Sequence, residues 1–327
     1  MHGKANPIPP GDASPAPGYM LLVRPRLFCF GLGYCAEHLA RRLAARGFAI
    51  AGTTRDVAAK AAALAEPSWE LHAFDGSAPL AEAEHALAGV THLLHSIRPD
   101  ADQPEGQPED RGDPVLRWHA ELIDALPREQ LRWIGYLSTT GVYGDHEGAW
   151  VDEDTPRRPS KARTRRRVAA EDAWLARGAR VFRLAGIYGP GRSALERVES
   201  GKARRVIAPG KVFNRVHVED IARVLEASIA RTGELPRPRE GRAYNVSDGH
   251  PAASAEVLAY AAELLGVEPP PQVALEDAQM SAMARSFWQD NLRVANERIR
   301  EELGIELAYP DYRAGLEACL AARSEDE

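Results

Sequence analysis

The residues whose spacing could do chemistry begin at Gly31-Leu32-Gly33-Tyr34-Cys35-Ala36. This Gly-x-Gly-x-x-Ala turn lies between the apolar run Phe28-Cys29-Phe30 and the helical pattern Glu37-His38-Leu39-Ala40-Arg41-Arg42-Leu43. Gly31 permits a tight turn, Gly33 lets a pyrophosphate approach the backbone, and Ala36 lets the helix lie close to the strand before it. A helix opening at Tyr34 and Cys35 offers free amides and the positive end of its dipole to an anion. That is the chemistry of a dinucleotide site. A second apolar run, Phe48-Ala49-Ile50-Ala51-Gly52, arrives at the spacing of a βαβ unit and ends in Thr53-Thr54-Arg55-Asp56. At that distance such a site presents an acid to a ribose 2′-hydroxyl or an arginine to a 2′-phosphate. Thr54 and Arg55 therefore favour NADP(H) over NAD(H), whereas a one-residue shift in loop path would offer Asp56 and NAD. Asp75 is placed against adenine or as a helix cap. Ser96 ends the run Thr91-His92-Leu93-Leu94-His95-Ser96 as a cofactor neighbour, with His92 and His95 packed or adjacent to the cofactor.

Holding such a turn requires alternating strands and helices, and the apolar runs predict strands near 27–31, 48–52, 70–74, 91–96, 132–138 and 180–185. This alternation implies an α/β fold, a Rossmann doubly wound parallel sheet covered on both faces, with a smaller C-terminal substrate-binding domain. Residues 1–20, rich in Pro, Gly and Ala, are expected to be a disordered tail, with Met20 as a candidate start of translation. Residues 21–188 form the expected NAD(P)-binding Rossmann domain. Residues 189–327 are expected to be mainly a substrate-binding and lid region, with some segments returning to the sheet. The acidic loop between Arg98 and Pro114 is either a solvated insertion or a flap over the site. In the last third, a strand over 242–248, a helix over 254–265 capped by Ser254 and a final helix from near Tyr309 are expected, and Asp220 is read as the cap of a helix from Ile221.

Composition narrows the function classes. With 327 residues and a net charge of −6, the chain shows no basic stripe for general nucleic-acid binding and no apolar run long enough to span a bilayer. Cys29, Cys35 and Cys319 form no ligand pattern and suggest no disulfides, so no metal is expected and a reducing cytoplasm is the default. A small-molecule substrate is the expected partner, and a homodimer through helices flanking the cleft is compatible with the pattern. Lysine occurs only at positions 4, 60, 161, 202 and 211.

Three later stretches complete the pattern: Trp133-Ile134-Gly135-Tyr136-Leu137-Ser138-Thr139-Thr140-Gly141-Val142-Tyr143-Gly144, Phe182-Arg183-Leu184-Ala185-Gly186-Ile187-Tyr188-Gly189-Pro190-Gly191-Arg192, and Arg215-Val216-His217-Val218-Glu219-Asp220-Ile221. With the glycine turn, they resemble the extended branch of the short-chain dehydrogenase/reductases, the NAD-dependent epimerase/dehydratase family. The resemblance implies hydride transfer at a carbonyl or alcohol carbon, on a sugar nucleotide or small carbonyl compound. It places the hydroxyl group at Thr139 with Ser138 beside it, and Gly186 at the cofactor. It also implies a Tyr-x-x-x-Lys pair, the Tyr as acid/base and the Lys lowering its pKa.

Alignment through Arg167-Val168-Ala169-Ala170-Glu171 instead puts Arg163 at the Tyr position and Arg167 at the Lys position. Four residues before Lys60, Lys161, Lys202 and Lys211 stand Asp56, Arg157, Val198 and Ile207, so the chain holds no Tyr-x-x-x-Lys anywhere. Arginine stays protonated at neutral pH and cannot serve as the general acid/base. The chain thus resembles the atypical members of that group. Tyr143 is a candidate substitute, while Tyr188 and His217 read more readily as packing groups. Arg192 and Arg293 are candidate substrate ligands, although Arg192 could equally pair with a surface acid. Phe287 and Trp288 are read as lid wall or core. The alternative function is a non-catalytic, NADP(H)-responsive binding protein, and a third reading is a structural relative with an empty cleft.

Overall fold

Successive side chains of a strand point to opposite faces, so each apolar run serves two layers. Leu27 and Cys29 pack with Leu39, Leu43, Ile221 and Leu225 on one face, while Phe28 and Phe30 pack with Leu93, Val115, Ile123 and Trp174 on the other. The computed structural model describes residues 24–99, 112–232 and 237–325. The expected tail, Met20 and most of the acidic loop lie outside them.

The strands are β1 (Arg26–Phe30), β2 (Ala49–Thr54), β3 (Glu70–Ala73), β4 (His92–His95), β5 (Trp133–Thr139), β6 (Trp150–Val151), β7 (Arg180–Leu184), β8 (Gly186–Tyr188), β9 (Arg205–Ile207), β10 (Arg215–His217), β11 (Arg242–Val246), β12 (Gln272–Ala274) and β13 (Arg293–Val294). The helices are α1 (Tyr34–Ala45), α2 (Val57–Leu64), α3 (Ala83–Ala86), α4 (Pro114–Ala125), α5 (Ala162–Leu175), α6 (Ala194–Glu199), α7 (Val218–Thr232), α8 (Ser254–Leu264), α9 (Ala282–Ser286), α10 (Glu297–Leu303) and α11 (Tyr312–Glu325).

Seven strands form the central sheet in the order β11-β7-β5-β4-β1-β2-β3. Every neighbouring pair is parallel. This is the doubly wound Rossmann arrangement, with α1 and α7 on one face and α4 and α5 on the other. The winding reverses between β1 and β4, and the crevice outside the carboxyl ends of those strands is where such sheets bind ligands. β11, from the C-terminal part of the chain, returns to the sheet edge beside β7. A separate cluster joins α6, α8 and α11 through Leu195, Leu258 and Leu316.

Three helix starts differ from the expectation. Ser254 is the first residue of α8 and Ala253 its uncapped N-cap position. α7 starts at Val218, and the Asp220 carboxylate accepts from the backbone N–H groups of Ala308 (2.7 Å) and Tyr309 (2.9 Å) rather than capping its own helix. The last helix starts at Tyr312, because the Asp311 carboxylate receives the free amides of Arg313 (2.8 Å) and Ala314 (3.0 Å).

Just past β11, Asp248 is buried. Its Oδ1 accepts from the His250 N–H (3.0 Å), while Oδ2 has no partner among the described residues. Burial pushes this carboxyl up to about 7, against the lesser pull of Arg215 and with a further push from Asp311. A folded-state pKa above the unfolded value makes stability from this group fully present below about pH 4 and lost as the pH rises through about 7. Asp248→Asn keeps the Oδ1 acceptor and removes the titration. In urea denaturation its stability relative to the parent should increase from about pH 5 to about pH 8, through the folded-state pKa of about 7. A difference independent of pH would sink this assignment.

Candidate functional site at the strand ends

β1 enters its turn at Gly31, whose φ of +86° suits a residue without a Cβ. A Cβ there would lie 2.7 Å from Ser96 Oγ and 2.9 Å from Ile97 Cγ1. The turn is held from both neighbouring strands. Gly31 N–H donates to Thr53 Oγ1 (2.8 Å), Leu32 N–H to the Thr53 carbonyl (2.8 Å), and Ser96 Oγ–H to the Gly31 carbonyl (2.5 Å). Ser96 therefore fixes the loop at the reversal point, and Thr53, to which the sequence reading assigned no role, does the same from β2.

Gly33 precedes α1 without a side-chain cap, and a Cβ placed on it meets nothing within 4 Å among the described residues. Open space beside uncapped amides at the start of a 12-residue helix is what a phosphate group requires. The turn therefore fits a dinucleotide. Cys35 and Ala36 are buried beneath it and act by packing; burial pushes the Cys35 thiol up to about 11. Tyr34 donates its hydroxyl to the Pro190 carbonyl (3.0 Å), and the Arg192 guanidinium lies 5.8 Å from the Tyr34 ring centroid. Arg192, expected at the substrate, thus borders the glycine turn.

β2 ends at Thr54, and the two residues after it diverge in role. Asp56 Oδ1 accepts from the Ala59 N–H (2.9 Å) and caps α2, while Arg55 is exposed. Asp75 lies eight residues ahead of α3, so it does not cap that helix. It instead accepts from Ser77 Oγ–H (2.6 Å) and Ser77 N–H (2.9 Å), bonds that hold its carboxyl below the usual range with a small contribution from Arg55.

At the end of β5, Thr139 Oγ1 accepts from the Gly141 N–H (3.2 Å), which leaves the hydroxyl proton free to donate. Ser138 is 6% exposed and its Oγ has no partner among the described residues. An unpartnered buried hydroxyl is costly, so it is a natural place for a bound group. Strand alternation puts Ser138 on the face of Tyr136, whose ring stacks on Trp174 of α5. The first turn of α5 closes this end: a Cβ on Gly141 would lie 3.5 Å from both Thr139 Oγ1 and Thr164 Cγ2. Arg167 Nη1 donates to Tyr136 OH (3.0 Å) and to the Leu137 carbonyl (3.1 Å). Arg163, one turn earlier, donates to Met283 Sδ (3.0 Å) with its guanidinium 4.9 Å from the Phe287 ring centroid.

A sequence model described as the NAD dependent epimerase/dehydratase family matches residues 31–247. The chain belongs to this family. It is similar to protein YeeZ of Escherichia coli K12, with 31% identity over 289 residues that span 86% of this chain and 95% of YeeZ. A solved conserved protein of unknown function from Silicibacter pomeroyi is 48% identical, with a TM-score of 0.80 over 91% of this chain and 99% of the other. UDP-glucuronic acid 4-epimerase from Bacillus cereus, solved with NAD, shares the fold at 13% identity, with a TM-score of 0.66 over 92% of this chain and 99% of that one.

Other candidate residues are engaged in the protein's own packing and hydrogen bonds. Tyr143 is fully buried, donates to Asn245 Oδ1 (2.7 Å) and accepts from Arg183 Nη1 (2.9 Å). Burial, partly offset by Arg183, pushes its phenol up to about 12. It is a strut of the polar interior, held on both sides by these hydrogen bonds. Tyr188 bonds the Asp311 carbonyl (3.3 Å), and His217 is buried between Tyr188 and Tyr309 with burial pulling its pKa down to about 4. His95 is enclosed with Asp113, Nε2 to Oδ2 at 2.7 Å, while its Nδ1 has no partner among the described residues. Gly186 N–H donates to the Asn214 carbonyl (3.0 Å) in the small β8–β10 pair. Arg293 donates to the Gly148 carbonyl and edges a cavity of about 540 Å³ beside Arg205 and Lys211. Alternation along β5 is the signal that could have put Ser138 ahead of Tyr143.

Proposed function

We propose that this chain is an NADP(H)-preferring oxidoreductase or epimerase-like enzyme that transfers hydride at a carbonyl or alcohol carbon without a Tyr-x-x-x-Lys pair. The observation carrying this reading is the division of labour after β2. Both side chains are exposed, but Asp56 caps α2 through Oδ1, whereas Arg55 takes no part in that cap and stands at the end of β2, the strand beside β1. A guanidinium suits a 2′-phosphate; a carboxylate committed to a cap is poorly placed for a ribose hydroxyl. The amides around Gly33 hold the pyrophosphate, and the unpartnered Ser138 hydroxyl and Arg167 serve the part of the dinucleotide that reaches β5.

When bound, NADP(H) would supply or accept the hydride, and the proton that balances the carbonyl/alcohol interconversion would be exchanged with water. Thr139 donates its free hydroxyl proton as a hydrogen bond to the substrate oxygen. A guanidinium has donors and no acceptor, so Arg163 stabilises negative charge near that oxygen rather than delivering a proton.

Titration with NADPH and NADH tests the cofactor part. Arg55→Ala should weaken NADPH binding by roughly 10- to 100-fold, the range of a lost charged hydrogen-bonding partner, and leave NADH binding within about 2-fold. Equal effects on the two would overturn the NADP preference. Turnover is tested by nicotinamide oxidation or reduction across sugar nucleotides and small carbonyls. Arginine in place of a phenol at 163 also favours a second reading, a non-catalytic NADP(H)-responsive protein. That reading requires a partner whose affinity differs between the oxidised and reduced forms.

A further inference from the structure

The first half of α5 carries Arg163, Arg165, Arg166 and Arg167, and its first turn contains no acid. None of the four has a carboxylate partner among the described residues. Cations at the positive end of a helix dipole oppose helix formation, by about 0.3–1 kcal/mol each when exposed. The chain has 47 acidic residues. Elsewhere it pairs its arginines readily, as in Arg157 with Glu171 and Asp172, and Arg177 with Asp124. Leaving this cluster without counter-charge stores attraction for an anion that the protein itself does not supply.

Within the cluster, position separates the members. Arg167 is engaged with the Leu137 carbonyl and Tyr136. Arg165 is exposed and bonds the Ser160 carbonyl (3.0 Å). Arg163 is four residues before Arg167 and so shares its helix face, and its neighbour Thr164 flanks the Gly141 turn opposite Thr139. Its guanidinium is oriented by two soft contacts, the Phe287 ring and Met283 Sδ, neither of which neutralises charge. A guanidinium stacked on a ring is held in orientation while its N–H fork stays available for a planar oxyanion. Ser138, buried and unpartnered, shares the face of β5 with Tyr136, the side of the sheet that α5 covers.

We infer that Arg163 is the anchor for an oxyanion carried by the substrate close to its reacting carbon, so that the substrate class is an anionic carbonyl or hydroxy compound. This inference rests on the proposed hydride-transfer reading for the word substrate, but the anion site itself does not depend on it. The oxyanion is a carboxylate or a phosphate, both of which an arginine fork can grip in two-point fashion.

The test is calorimetric titration of the full chain with oxamate and, separately, with inorganic phosphate, each with and without saturating NADPH. The parent should bind one of the two probes, and which one identifies the oxyanion. Arg163→Gln should weaken that binding by at least about 10-fold, as expected for loss of a charge-assisted bond, with NADPH affinity unchanged and the melting temperature not lowered. Arg163→Lys should recover part of it. Arg165→Gln makes the same charge change on an exposed neighbour and should alter probe binding by no more than about 2-fold, as a screened surface charge does. Equal losses from the two Gln variants, or no probe bound by the NADPH-saturated parent, would overturn the anchor. Arg163-dependent probe binding by a chain that binds no NADPH would instead keep the anchor and reject the cofactor reading.

Discussion

Gly33→Val should abolish dinucleotide binding while leaving unfolding stability within about 1 kcal/mol of the parent, the usual range for a substitution that breaks no packing. Gly33 has φ −98° and ψ −169°, extended backbone open to any residue, and a Cβ there meets no atom of the described residues within 4 Å. The added branches would occupy only the space beside the α1 amides. Two or three charge-assisted bonds from that helix end to phosphate would be blocked, so a loss of at least about 100-fold in NADPH affinity is expected. Gly31→Val makes the informative contrast. Its φ of +86° and the 2.7 Å approach to Ser96 Oγ predict loss of binding together with about 1–3 kcal/mol of stability, from backbone strain and displacement of the loop. Fluorescence titration and urea denaturation on both variants separate the two effects. Unchanged NADPH affinity in a folded Gly33→Val protein would remove the glycine turn from the site.

The second large effect is on stability. Glu171 in α5 is fully buried and accepts from Arg183 Nη2 (3.0 Å), Arg183 Nε (3.2 Å) and Arg157 Nη1 (3.0 Å). Arg183 is itself buried, and its other nitrogen donates to Tyr143 OH, which in turn donates to Asn245 in β11. The network ties α5, β7, β11 and the turn after β5 together. Burial works against the charge on Arg183, and the field of Glu171 leads the interactions that more than offset it. Glu171→Ala leaves that charge without its counter-ion and should cost about 3–5 kcal/mol, the scale for breaking a buried pair from one side. Replacing both partners, as in Glu171→Leu with Arg183→Met, should recover part of that loss because no orphan charge remains. A Glu171→Ala protein as stable as its parent in urea would show that water reaches this network. Arg163 and Arg167 stand on the same helix, so a folded but loosened α5 should also show weaker probe binding.

Much of the fold was legible in the sequence. The central strands fall close to the apolar runs that predicted them, because a buried parallel strand needs a short continuous apolar segment and its neighbours need turn residues. These are demands that local sequence can express. The glycine turn was legible for the same reason: each small residue answers a steric requirement within a few positions of itself. Helix starts were less legible at Asp220, which has a cap residue's chemistry but gives its carboxylate to amides 88 and 89 residues away.

By itself, the sequence determined the family frame, the glycine turn and the absence of a Tyr-x-x-x-Lys pair, since these depend only on residue identity and spacing. Tertiary structure alone decided which polar groups remain available. It engages Asp56 as a cap and leaves Arg55 exposed, encloses Tyr143 among Arg183 and Asn245, and leaves Ser138 Oγ without a partner. It also brings Met283, 120 residues away, against Arg163. A side chain's chemistry depends on what neutralises, buries or orients it, and those neighbours come from distant segments whose meeting no local pattern specifies.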